Sequence, residues 1–148
     1  MHFRARLAFA FMSLTPFLGG GAQAMTIEDF GRMNTDDEAT YVTLLIEAAA
    51  KMYRTEGQPD QASQVIAYFK VPGKFGGVQE FAANLKTTYG LNKRNATNPN
   101  NRVQVYQVED AMAATLRDKG FVVPVKYLLE SGKGFRPAGP PRQHIFAD

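Results

Sequence analysis

The chain has 148 residues, none of them cysteine or tryptophan and only two histidine, with a formal net charge of +3. That inventory excludes thiolate nucleophiles, disulfides, iron–sulfur clusters, thiolate zinc sites and covalent c-type haem. The length fits one domain with a single modest core.

Arg4 and Arg6 precede an apolar run from Leu7 to Leu18 that Pro16 interrupts, and Gly19 to Ala24 supply the small residues of a signal-peptidase site. The pattern predicts a secretory signal peptide over residues 1–24, cleaved after Ala24, and so a periplasmic or secreted bacterial protein. The competing reading starts translation at Met25 and leaves the protein in the cytoplasm. The apolar run is shorter than the roughly 20 residues a bilayer span needs, and no later segment approaches that length, so no transmembrane segment is expected in the mature chain. From Met25 onward fifteen basic residues face fourteen acids, with residues 25–85 at −4 and residues 86–142 at +6. Such halves can pair internally or present a basic face to an anionic partner.

Apolar residues recur at helical spacing from here on, and strand-like alternation is nearly absent. Thr26 is placed to cap a short helix carrying Glu28 and Asp29 in its first turn. Asn34 to Glu38 open a longer one that reaches Glu56, with Gly57 as its C-cap, Tyr41, Leu44, Leu45, Ala48 and Met52 as its buried stripe, and Val42, Ile46, Ala49 and Tyr53 widening the apolar surface. Pro59 starts a third helix, ended by Val71-Pro72-Gly73. A fourth begins after Gly76-Gly77, carries Val78, Phe81, Ala82, Leu85 and Tyr89 on one face, and closes at Gly90. The asparagine-rich Leu91–Arg102 stretch reads as an exposed loop. A fifth helix is expected from about Val105 to Lys119, with Val108, Met112 and Leu116 buried, and a sixth after Pro124. Val103–Val105 and Phe121–Val123 are an alternative pair of short strands.

The fold expected is all-α, a small orthogonal bundle of five to six short helices over residues 25–133, with minor β pairing near 103–105 and 121–123 as its one variation. Residues 134–148, rich in proline and glycine, are expected to form a flexible tail with little that packs.

Candidate chemistry is sparse. His144 is the one histidine beyond the signal segment, and it falls in the tail, where nothing would orient it for a Ser–His–Asp arrangement. Gly73–Gly77 is glycine-rich and precedes a helix but lacks the P-loop spacing, so it reads as a helix-to-helix turn. Carboxylates can catalyse glycan hydrolysis in pairs, and Glu47, Glu56, Glu80, Glu109 and Glu130 are the candidates; each is expected on a solvated helix face or end. Lys93, Arg94 and Arg102 put three cations and several amides on one segment, suited to a phosphate- or carboxylate-bearing partner. Nucleic acid is not expected as the partner, because aromatics are not interleaved with these cations. No cofactor and no metal ligand set is expected.

Met25 to Phe30, followed by a long helix begun through Asp36-Asp37-Glu38, resembles small periplasmic helical proteins of the acid-stress chaperone and immunity-protein groups. The resemblance spans the first two helices and carries over no functional residue; those groups typically hold a disulfide, which this chain cannot form. It implies an exported helical protein that acts by binding. Sparse catalytic chemistry and the uneven charge of the two halves give the function expected: an exported, non-enzymatic interaction protein, chaperone-like or an inhibitor or immunity-type partner, bound to another exported protein or an anionic envelope component. The alternative is a small carboxylate-dependent enzyme acting on cell-envelope material.

Overall fold

The computed structural model describes residues 24–70, 77–94 and 107–141, with side chains through Lys86 in the second stretch. The signal segment up to residue 23, the Gly73–Gly76 turn, Arg102, Val103–Val105 and the last seven residues lie outside that description. Six helices are described: α1 (Ile27–Arg32), α2 (Thr35–Thr55), α3 (Pro59–Lys70), α4 (Val78–Arg94), α5 (Val108–Asp118) and α6 (Val125–Gly132). They form a small all-α bundle without a sheet among the described residues.

Helix α2 is the axis of the bundle and packs against α3, α4 and α6. Its start is set by Asn34, whose Oδ1 accepts the Asp37 N–H at 2.8 Å, and by three acids that complement the helix dipole. At its end the Gln58 N–H donates to Tyr53 O at 2.8 Å and the Gly57 N–H to Arg54 O at 3.1 Å, a Schellman pair. Gly57 makes that turn at a φ of 73°, where a side chain would be strained. Between these ends Tyr41, Val42, Leu45, Ile46, Ala49, Ala50, Met52 and Tyr53 are buried. Phe30, Val65, Phe69, Phe81, Met112, Leu116 and Leu128 close the core around them.

Three local expectations change. Helix α4 passes through Gly90 to Arg94, so the stretch read as a loop from Leu91 begins as helix. A helical glycine costs only about 1 kcal/mol relative to alanine, too little to stop a helix whose next residues can extend it. Phe121–Val123 forms no strand: the Tyr53 hydroxyl accepts the Val122 N–H at 2.8 Å and donates to Val122 O at 3.3 Å. One phenol satisfies the backbone groups that a partner strand would otherwise take. The only described bridge is Thr26 with Gln107, where the Val108 N–H donates to Met25 O at 2.9 Å.

The third change concerns the segment after Gly134. Phe135 stacks edge-on against Tyr41 with ring centroids 5.0 Å apart, and Ala138 and Gly139 are hydrogen-bonded to α2. The start of the expected tail is thus bound to the bundle, by one aromatic side chain and by backbone N–H groups that meet a carboxylate.

Leu45 has no exposed surface at the middle of α2. Replacing it with alanine should lower the free energy of unfolding by about 2–5 kcal/mol, read from urea denaturation, as expected for a leucine-sized cavity at a site packed from several helices.

Candidate functional site

The cations singled out by sequence are placed only in part. Lys93 and Arg94 are neighbours on the last turn of α4, and Arg102 is outside the described residues. The described surface offers a different feature, a groove of about 570 Å³ between α2 and α6. Its apolar lining is Leu44, Ala48, Met52 and Tyr127, and its rim carries Glu47, Lys51, Arg54, Glu56 and Glu130.

The groove exists because one edge of the wide apolar surface expected on α2, at Leu44 and Ala48, is left uncovered. Leu44 is 37 % exposed and Ala48 half-buried, while Val42, Ile46, Ala49 and Tyr53 take the interior. Helix α6 is only eight residues long and buries Leu128, leaving Tyr127 40 % exposed opposite α2. Three of the five candidate acids, Glu47, Glu56 and Glu130, share this groove. Glu47 lies 3.5 Å from Arg54 and Glu130 3.9 Å from Lys133, all four well exposed. Such pairs contribute little and leave both ends in water. Neither acid is set in the apolar enclosure that keeps a carboxylic acid protonated for general acid work. Glu80 is exposed on the first turn of α4.

The fifth candidate acid overturns its expectation. Glu109, expected on a solvated face, is fully buried. Its Oε1 accepts a hydrogen bond from the Tyr41 hydroxyl, and the Met25 N–H reaches Oε1 at 3.1 Å and Oε2 at 3.2 Å. Two acids in the first turn of α2 are buried as well. Glu38 takes the Lys86 ammonium on both oxygens, at 2.9 and 2.8 Å, and so ties α2 to α4. Asp37 accepts Ala138 N–H at 3.0 Å and Gly139 N–H at 2.9 Å, with Asn34 Nδ2 donating at 2.6 Å. A side chain on Gly139 would run into the Asn34 amide, so the close approach there requires glycine.

Sequence held a signal for two of these three. Glu109 stands three and seven residues before Met112 and Leu116, and Glu38 three, four and seven before Tyr41, Val42 and Leu45. Both therefore lie on the apolar stripe of their helices. An acid on such a stripe is either solvated at an end or satisfied by partners from elsewhere in the chain, and here the second holds.

These contacts shift two titrations. The backbone donors Ala138 and Gly139, with help from Asn34, hold the Asp37 carboxyl below its ordinary value against a smaller opposing effect of burial. Burial, the hydrogen bond to Glu109 and the negative charge of that residue, in that order, push the Tyr41 phenol far up. Among the described residues no cluster of three or more histidine, aspartate or glutamate side chains could hold a metal ion. Likewise no described helix is long and apolar enough to cross a membrane. Comparison with protein-family models, with curated proteins and with solved structures finds no match.

Two outcomes follow from the shifts. Because the Asp37 pKa is depressed on folding, its hold on residues 138–139 is complete above the ordinary value of about 3.9 and is lost as pH falls through the lower native value. Ala138 and Gly139 amide resonances should therefore move together only at more acid pH, and Asp37→Ala should abolish that titration. Because the Tyr41 pKa is raised, stability should fall as pH climbs past about 10, where only the unfolded phenol ionises. In folded protein one tyrosine should stay un-ionised by ultraviolet absorbance at pH values that ionise the exposed ones, and Tyr41→Phe should remove that silent group.

Proposed function

We propose that this chain is an exported, non-enzymatic binding protein that receives an apolar segment of another exported protein in the groove between α2 and α6, as a chaperone or an inhibitory partner would. The observation that carries this reading is the pair Leu44 and Tyr127, both large, both more than a third exposed, and both lining one concavity. A concave apolar floor gains free energy when a partner side chain displaces water from it, and tyrosine adds a hydroxyl for orientation. The volume suits one or two anchoring side chains. Around the floor, Glu47, Glu56 and Glu130 alternate with Lys51 and Arg54, which favours a segment carrying both signs of charge and sets its register more than its affinity.

Export is supported by the basic, apolar and small-residue order of residues 1–24. The uneven charge of the two halves supports a second, anionic contact at Lys93, Arg94 and Arg102, which alanine substitutions at those positions would separate from the groove.

The test is a photo-crosslinking residue placed at Tyr127, and as a control at exposed Gln64 on α3, with the full chain expressed in its native host. A single stoichiometric protein adduct at position 127, absent at 64 and lost with Leu44→Asp, is the expected result. Equal or absent crosslinking at the two positions would remove the groove as the contact.

A further inference from the structure

We infer that Met25 is the first residue of the mature protein and that its free α-ammonium is the counter-ion of the buried Glu109 carboxylate. The inference rests on the export reading only for how Met25 becomes terminal, and not on the groove.

The argument starts from Glu109. It has no exposed surface, and no cationic side chain among the described residues lies within ion-pair distance of it. A buried carboxylate in that position normally takes up a positive partner or a proton. Its described partners are the Tyr41 hydroxyl, which is neutral, and the backbone nitrogen of Met25, shared almost equally between its two oxygens at 3.1 and 3.2 Å. A peptide N–H has one proton to divide between two acceptors. An ammonium in the same place has three protons and a full charge, and it satisfies both oxygens at once. The nitrogen that occupies this position is the one that cleavage after Ala24, expected from the signal pattern alone, would free.

The surroundings hold the nitrogen where it is. Met25 O accepts the Val108 N–H, Thr26 bridges Gln107, and Thr26 then caps α1 by accepting the Asp29 N–H at 3.0 Å. Glu109 itself sits in the first turn of α5, where the helix dipole favours a carboxylate. The titratable groups bonded at the nitrogen are Glu109 from α5 and, through it, Tyr41 from α2. On α1, Glu28 and Asp29 turn outward, the first to Arg32 at 2.7 Å and the second to Thr26 at 2.8 Å. The register is strict: cleavage one residue away would move the amine by about 3.8 Å along the chain, beyond hydrogen-bonding reach of Glu109. Processing at this bond therefore supplies the charge that completes the core, and the unprocessed chain lacks it.

The experiment has two arms. In the first, the full chain is expressed in its native host and the intact mass of the envelope-fraction protein is measured. A mass beginning at Met25 is expected; retention of residues 1–24, or a different first residue, overturns the processing half. In the second, protein beginning at Met25 is compared with the same protein acetylated on its α-amine, and the amine is followed by NMR titration. The amine should titrate at least one unit above its ordinary value of about 8, and acetylation should lower the urea midpoint by about 1 M. The extra stability should be complete below about pH 8 and vanish as pH rises through the raised native value. In Glu109→Gln protein acetylation should cost nothing further. An ordinary titration of the amine in the unmodified protein overturns the pair whether or not Glu109→Gln folds. Failure of the first arm with success of the second would leave the ion pair and remove export.

Discussion

A carboxylate buried without access to water has to be met by donors, and the arrangement that meets Glu109 fixes most of this bundle. Tyr41 brings α2 to it, Met25 brings the beginning of the described chain, and α5 supplies the carboxylate from its own first turn. Tyr41 in turn organises an apolar shell. Phe30 of α1 lies 6.3 Å from its ring, Phe135 lies 5.0 Å away, and Gly132 at the end of α6 comes so near that any side chain there would strike the Tyr41 hydroxyl. One polar cluster thus dictates where α1, α5, α6 and the segment beyond α6 can sit. Loss of a single donor would leave a buried charge short of partners, a fault worth several kcal/mol in a domain this small.

Glu38 and Asp37 repeat the principle at the other end of the same apolar face. Glu38 takes its charge partner from α4 through Lys86 and stabilises a junction between two helices. Asp37 takes its partners from backbone and so can bind a segment almost devoid of packing side chains. Such contacts add modestly to net stability, since each donor was already bonded to water in the unfolded chain. Their larger effect is on uniqueness. An apolar stripe alone lets helices slide by a turn, whereas a carboxylate that has only one set of donors does not.

Much of the framework was legible in the residues. Asn34, Gly57 and Pro59 mark helix ends by local chemistry, and each acts where the pattern put it. The core stripes of α4 and α5 read directly from Phe81, Ala82 and Leu85 and from Val108, Met112 and Leu116. What local pattern could not give was which edge of the wide apolar surface of α2 is left uncovered, at Leu44 and Ala48, because that depends on how short α6 is and where it lies. Nor could it give the roles of Glu109, Glu38 and Asp37, whose partners lie 84, 48 and 101 or more residues away. Residue type argued for a solvated surface; position on the stripe argued for burial, and position was the better guide. The groove was invisible for the same reason, since Tyr127 reads as one more aromatic until α6 is laid beside α2.

The fastenings at the two ends of the described chain carry a kinetic consequence. Helical bundles ordinarily fold fast because most of their contacts are between neighbours along the chain. Here the Met25–Glu109 and Asp37–Gly139 closures span 84 and 102 residues, so each must close a loop almost as long as the domain before it returns any free energy. The helices can form first from contacts between neighbours along the chain, and these two closures then join segments far apart in sequence. The same closures tie Met25 and Gly139 to the bundle, so local opening at either place has to break the hydrogen bonds of a buried acid.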